Sequence, residues 1–558
     1  MAPYADPIAA PSGFVEQKSV GAASPSDDLV ARAAGKPFVV FAPHPLEPIP
    51  PGYVPKSWEL TDALSGFASG DEYESFTFAV YALSAVRGVK AEAGPLALFG
   101  HPEVQISVGS MDLRTVRCLN RFMGEKKFKR APILLEKSAV ADLPAGGARQ
   151  FWLKVYVSPE TKPGVYEGAV RVTYDTVQEE SLKVRLRVLP IKLLRPPTAY
   201  GFWYDLGAGW KGFYADTPAA CRQMMKKHFV QLREYGLNSL GVMATPAGAT
   251  PLADMMRIGK ETGLLSANVP LLYSGAEPLR TAVATAAGLK TDDPKLDAAY
   301  ADAARGIALE AKAQGWPPFI FIPVDEMDNR DSLRIAAARW LSVLKKAGLT
   351  TGATLNGLWF GQDSANSDAL RGLIDARILN YVDENALATA QRAEKPVWLY
   401  NMDVSPWEPK RARLVFGLYA ARCRAAGCFQ WAYQWPAKPG VDPYHELGSD
   451  ARFYAQSFAY PTPDGPLPTL ALEAIREGID DMRYIHTLTQ LIAQARAAGR
   501  TTEADNALSM LNSLLSEIPV STPALAPYCE RIPADLMQTS RWQIVQSIMS
   551  LQAKAEHN

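Results

Sequence analysis

The sequence predicts a multidomain chain of all-β and α/β parts: an N-terminal β-sandwich, a central (β/α)8 TIM-like barrel and a C-terminal α-helical segment. Three observations predict it. Residues 37–192 carry short runs that alternate apolar and polar positions with turn residues between them. Residues 198–462 alternate strand-like runs with helix-length segments, and residues 463–558 turn to helical periodicity. Period two marks half-buried strands, and alternation of strands with helices marks a parallel sheet. At 558 residues the chain exceeds one ordinary core, so several domains are expected.

Residues 1–36 are rich in Ala, Pro, Ser and Gly and read as a poorly ordered lead-in. The sandwich strands follow, among them ESFTFAVY (74–81), RQFWLKVYV (149–157), GVYEGAVRVT (164–173) and ESLKVRLRV (180–188). Their even spacing is that of a two-sheet domain. Leu189-Pro190 and Arg195-Pro196-Pro197 close it with a stiff boundary.

Eight candidate barrel strands come next, at 200–205, 237–243, 268–273, 319–324, 351–356, 378–382, 396–401 and 428–433. Amphipathic segments lie between them. Asp216-Thr217-Pro218 is a helix start with proline near the first position, and 295–314 and 331–347 read as helices, the latter stopped by Gly348. Residues 244–290 carry much loop, which makes the third unit the least regular. Eight strands over about 240 residues have the rhythm of a (β/α)8 barrel, with a doubly wound open sheet as the alternative. Helices at 467–498, 501–518 and 535–556 complete the chain.

Composition narrows the function. Lys plus Arg (58) equals Asp plus Glu (58), so the basic excess of a nucleic-acid surface is missing. No apolar run reaches the length of a membrane span, so no membrane partner is expected. The five cysteines and six histidines have no metal-ligand spacing, and no metal or organic cofactor is implied. The opening MAPYADPIAAPSGF lacks the features of a signal peptide. The compartment is left open by this: secreted or periplasmic if a signal was removed, otherwise cytoplasmic. Gly207-Ala-Gly-Trp-Lys-Gly212 matches a G-x-G-x-x-G spelling, but the helix start lies later, at Asp216, so it reads as a loop.

The chemistry-bearing stretch is PPFIFIPVDE (317–326), a buried-strand pattern ending in Asp325 and Glu326. Carboxylates at the carboxyl end of such a strand lie where α/β barrels place their chemistry. Adjacent carboxyls oppose each other's ionisation, and glycoside cleavage needs one carboxyl as acid and another as a negative charge. Side chains of adjacent strand residues diverge, so both serve one site only if the strand ends in a twist or bulge. Other strand ends add Trp203, Tyr204, Asp205, Asn356, Trp359, Asp383, Tyr400, Asn401, Trp431 and Trp435. A sugar ring offers an apolar face and a rim of hydroxyls, which aromatics beside carboxylates and amides would bind. Trp431, Tyr433 and Trp435 share one face if the eighth strand stays extended.

Three stretches resemble glycoside hydrolase family 123. They are QFWLKVYVSP (150–159) with PGVYEG (163–168), the Asp325-Glu326 pair, and residues 427–435 taken with Tyr460-Pro461, Asp464-Gly465 and LEAIREGIDD (472–481). The last is the most specific, and the resemblance spans roughly residues 40–490. One departure is Thr469-Leu470-Ala471, where the family often carries an arginine. The resemblance implies a retaining β-N-acetylgalactosaminidase with substrate assistance. Glu326 would be the general acid and then base, and Asp325 would orient the 2-acetamido group whose oxygen attacks the anomeric carbon. Tyr400, Trp431 and Trp435 would be sugar-pocket aromatics. Two alternatives stay open: a glycosidase on a non-acetamido sugar, with Asp403 or Asp383 as nucleophile, and a catalytically silent glycan-binding protein. Either way the expected partner is a carbohydrate.

Overall fold

The computed structural model describes residues 10, 12–17, 26–138, 140–174, 178–205, 217–246, 251–356, 370–434, 444 and 457–553. Its centre is a sheet of eight parallel strands, Ala199–Tyr204, Ser239–Val242, Leu271–Tyr273, Phe319–Phe321, Gly352–Leu355, Ala376–Leu379, Val397–Tyr400 and Gly427–Gln430. They are called the first to eighth barrel strands below. All eight lie within or beside the runs read from the sequence. The order is fourth-third-second-first-eighth-seventh-sixth-fifth. A parallel bridge between Phe321 and Thr351, with the Phe321 N–H on the Thr350 carbonyl at 2.9 Å, links the two ends. The ring is therefore nearly closed, which disposes of the open-sheet alternative.

Every described strand residue of this ring is buried, because one face meets the barrel interior and the other meets the helices. Trp203, Leu272, Ile320, Ile378, Trp398 and Phe429 fill the interior. Their strand neighbours Phe202, Tyr204, Leu271, Phe321, Leu355 and Leu399 pack outward in the larger core with the helices. The outer layer includes Pro218–Glu234, Lys295–Gln314, Asp331–Lys346 and Glu384–Arg392. Pro218 stands in the first turn of its helix, and the Thr217 hydroxyl accepts the Ala220 N–H at 3.2 Å. The stretch expected to be mostly loop holds two helices, Leu252–Glu261 and Ala276–Ala287. Gly275, Gly263 and Pro251 punctuate them, and that punctuation dominates the sequence signal.

Two mostly antiparallel sheets precede the barrel, one six-stranded and one seven-stranded. Phe76, Phe78, Phe151 and Leu153 of the first share an apolar cluster with Val170, Val172, Leu182 and Val184 of the second. Within the expected lead-in, Asp27–Ala33 form a helix: Ser26 caps it, acids fill its first turn, and Leu29 and Ala33 are buried. After the barrel come Leu470–Ala497, Thr501–Ser516, Thr522–Arg531 and Leu536–Ala553. The third of these has no counterpart among the expected helices, because Pro523 and Pro527 look like breakers; Pro523 stands in the first turn, where no donor is lost. The glycine-rich 207–212 motif and Asp216 lie outside the described residues.

Candidate active site

The C-terminal mouth of the barrel gathers carboxylates and aromatics from several strands. Past the fourth strand the chain runs through buried Ile322, Pro323 and Val324 to Asp325, which is exposed, and Glu326, which is half-buried. Glu326 takes φ +41°, in the left-handed region, so the chain turns there and adjacent side chains no longer diverge as on a strand. Such a conformation costs a non-glycine residue about 1–3 kcal/mol and persists only where the surroundings hold it.

Thr354, pointing inward from the fifth strand, is what holds it. Its hydroxyl donates to Asp325 Oδ1 at 2.6 Å and accepts the Glu326 backbone N–H at 2.6 Å. Asn329 Nδ2 donates to Glu326 Oε2 at 2.6 Å, and the Asn356 N–H donates to Asp328 Oδ2 at 2.6 Å. The 325–329 turn is thus tied to the fifth strand through both Thr354 and Asn356.

The aromatic wall begins with Trp203, whose Nε1 donates to Ser274 Oγ at 3.0 Å. Its ring lies 4.5 Å from that of Tyr400 and 6.4 Å from that of Trp431, centroid to centroid. Gly241 makes room for it, since a Cβ there would sit 2.7 Å from the indole. Burial first, and then the charges of Asp325 and Glu326, push the Tyr400 hydroxyl above the ordinary phenol range. Tyr400 therefore lies in the field of the carboxyl pair. Asn401, next along and left-handed at φ +47°, accepts from Gln430 Nε2 at 2.6 Å. Gln430 is buried and also bonds the Val404 and Trp431 carbonyls, which fixes the amide's direction.

The structure thus brings Asp325, Glu326, Trp203, Tyr400, Asn401 and Trp431 to one mouth, with half-buried Asn356 entering through its backbone. Half-buried Asp205 stands at the end of the first strand. Tyr204 is not in the cluster. It follows Trp203 on the strand and so faces outward, with its Oη 3.0 Å from His228 Nδ1 and its ring against Phe229. Asp383 is engaged elsewhere, as the cap of Glu384–Arg392, where it accepts the Ala386 N–H at 2.7 Å. The expected shared face of Trp431 and Tyr433 does not form, because the eighth strand ends at Gln430. Tyr433 packs outward and donates to Gln231 Oε1 at 2.7 Å. Trp359 and Trp435 lie outside the described residues.

Thr354, Ser274, Asp328, Asn329 and Gln430 join the site without having been expected there. A lone threonine or serine at a strand end carries no signal, whereas the third acid of DEMD (325–328) is visible in the spelling. Among the described residues no group of His, Cys, Asp and Glu is placed to hold a metal.

Residues 338–488 match the family model "Glycoside hydrolase 123, catalytic domain". That segment takes in Tyr400, Trp431 and most of the Leu470–Ala497 helix, and it begins after Asp325 and Glu326. No curated protein matches the chain. A solved family 123 glycoside hydrolase from Clostridium perfringens, described in terms of glycolipid glycan hydrolysis, superposes with a TM-score of 0.65 at 12% identity. The alignment covers 93% of this chain and 98% of that one. A GH2 β-galacturonidase from Eisenbergiella tayi aligns with a TM-score of 0.33 at 11% identity, over 73% of this chain and 69% of that one. The clostridial likeness concerns the fold, and the family-model match carries the classification. The chain is a glycosidase by the match of its residues 338–488 to the catalytic domain of glycoside hydrolase family 123.

Proposed function

We propose that this chain is a retaining β-N-acetylgalactosaminidase-like enzyme in which the substrate's own 2-acetamido group acts as nucleophile. The observation that carries this reading is the Asp325–Glu326 turn, locked by Thr354 beside the Trp203–Tyr400–Trp431 wall. Glu326 protonates the glycosidic oxygen as the acetamido oxygen closes on the anomeric carbon, expelling the leaving alcohol. It then takes a proton from the water that opens the cyclic intermediate. Asp325 accepts the acetamido N–H and supports the positive charge that develops on that group. The sugar's apolar face packs on Trp203 and Trp431, and Tyr400 and Asn401 meet its hydroxyls. The two N-terminal sheets are read as the accompanying β-sandwich, bounded near residues 37 and 192.

A protein nucleophile finds less support. Asp383 has its carboxylate engaged in capping a helix, and Asp403 is exposed with a left-handed backbone. The test pairs aryl β-GalNAc with aryl β-galactoside, with a GalNAc-terminated glycolipid glycan as a third substrate. Cleavage of the acetamido substrates alone, falling at least about 100-fold in Glu326→Gln, is expected. Equal cleavage of the plain galactoside would overturn substrate assistance.

A further inference from the structure

Gln430 is wholly buried at the end of the eighth strand, yet its amide is only half satisfied. Its Oε1 is sealed from solvent and meets no donor among the described residues. A buried acceptor left unmet costs stability, and an apolar side chain of similar length would pack there without that cost. What the amide gains lies on its other side. Nε2 donates to Asn401 Oδ1 at 2.6 Å and is ringed by the Trp431 carbonyl at 3.1 Å and the Val404 carbonyl at 3.2 Å. Turning the amide over would aim its oxygen at two backbone carbonyls, so only the nitrogen fits there. That orientation passes on to Asn401. The Asn401 atom facing a donor nitrogen has to be its oxygen, so Nδ2 is turned away from Gln430. The Asn401 backbone is held as well: its N–H donates to the Phe429 carbonyl at 3.0 Å, and its carbonyl accepts the Asp403 N–H at 2.8 Å. Asn401 is half-buried beside Tyr400, and its Nδ2 bonds no acceptor among the described residues while staying open to solvent.

Resting on the reading of Asn401 as a sugar-binding residue, we propose that Gln430 is a positioning residue for specificity, which pins the Asn401 oxygen inward and makes Asn401 a donor-only contact. The sugar atom seated against Asn401 is then an acceptor, a hydroxyl oxygen that receives an Nδ2 hydrogen. An amide free to turn would offer its oxygen or its nitrogen equally well and would read either partner. The unmet Gln430 oxygen is the cost of this selection.

The experiment measures kcat and KM for wild type, Gln430→Met and Asn401→Ala. The substrates are aryl β-GalNAc and analogues in which one hydroxyl at a time is replaced by hydrogen or by fluorine. Fluorine can accept a hydrogen bond but donates none, and hydrogen does neither. In wild type, hydrogen at one hydroxyl should raise KM about 10-fold and fluorine there distinctly less. Equal losses at every hydroxyl would overturn the proposal. In Gln430→Met the Asn401 amide is free to turn, and the gap between the two analogues should close. A gap that persists there, whatever happens to kcat, also overturns the proposal, since lost packing alone does not change which analogue is preferred. Asn401→Ala separates the two readings. A wild-type KM there refutes the sugar contact of Asn401 itself, whereas a raised KM with the gap intact in Gln430→Met refutes only the pinning. Neutron diffraction from deuterium-exchanged wild-type crystals needs neither a variant nor a substrate. Deuterons on the Asn401 atom turned away from Gln430 sustain the proposal, and deuterons on the atom facing Gln430 end it.

Discussion

Thr354 shows how much a single hydroxyl can organise. It donates to Asp325 and accepts from the Glu326 N–H, so it satisfies both neighbours across a turn whose left-handed residue is costly. Thr354→Val keeps the shape and removes both bonds. Leaving such partners unmet costs about 1–3 kcal/mol, and a loss of this size in the transition state is about 5- to 150-fold in kcat/KM. The expectation is a fall in that range for Thr354→Val, with most activity kept by Thr354→Ser; kinetics on both variants check it. A valine variant as active as wild type would detach the hydroxyl from the site. At this scale the sequence is partly legible. Asp325, Glu326, Tyr400 and Trp431 are visible because carboxylates and aromatics at strand ends are chemically conspicuous. Thr354 is not, because its role depends on the fifth strand meeting the fourth. Tyr204 and Asp383 mislead for a related reason: strand-end position does not say which face a side chain takes, or whether a helix N-terminus has already claimed it.

The Leu470–Ala497 helix is the element with the most specific spelling, and its packing explains part of that spelling. Gly478 faces the segment Pro409–Arg422, where the helix relaxes into a wider turn at Val415–Tyr419 and Gly417 leaves helical geometry. A Cβ on Gly478 would lie 2.6 Å from the Arg413 carbonyl oxygen and 3.0 Å from the Gly417 nitrogen, both rigid backbone atoms. Alanine normally improves a helix interior by about 1 kcal/mol over glycine. Forcing atoms into a packed contact costs about 1–3 kcal/mol, and backbone neighbours place this site at the upper end. Gly478→Ala should therefore lower the melting temperature, as scanning calorimetry would show, and a higher melting temperature would mean that the two helices can separate freely. The elements are the most legible level of this chain. All eight barrel strands are short, fully buried runs that the sequence marks as strand-like. The helix Thr522–Arg531 escapes notice because two prolines mask its periodicity, and the short Asp27–Ala33 helix because it is set in a stretch of small residues.

Across the whole molecule, a buried ionic network fastens the N-terminal sheets to the barrel and its final helices. Arg541, fully buried on the last helix, bonds Asp481 at 2.5 Å and the Glu477 carbonyl at 2.7 Å, and lies 3.4 Å from Glu72 on a sheet strand. Lys154, from the same sheet as Glu72, reaches Glu473 at 3.0 Å. Nothing in the spacing announces that the sheet residues join it, since Lys154 and Glu72 lie 319 and 469 positions from the Glu473 and Arg541 they meet. It makes stability depend on pH. Burial opposes ionisation of Glu477 and Glu473, but Arg476 and Arg541 around the first, and Lys154 and Arg476 around the second, outweigh it. Both therefore sit below their ordinary 4.5. Their contribution is present above pH 4.5 and is lost as pH falls below it. Burial holds His44 down to about 4 and His228 to about 3, so the unfolded chain takes up their protons first and stability is lost from pH 6.5 downward. Glu72 and Glu74 run the other way. Burial, reinforced by Asp480 for the first and Glu477 for the second, raises both, so they add stability as pH falls toward 4.5 and nothing further beyond it. Between pH 6.5 and 4.5 the histidine losses and these gains offset each other. Below 4.5 the losses of Glu477, Glu473 and His228 are unopposed by Glu72 and Glu74. The melting temperature should thus change little from about pH 6.5 to 4.5 and drop steeply below that, as calorimetry across this range would show. A steep fall already complete by about pH 5.5 would mean that the buried acids do not hold their protons, and that the network is open to water.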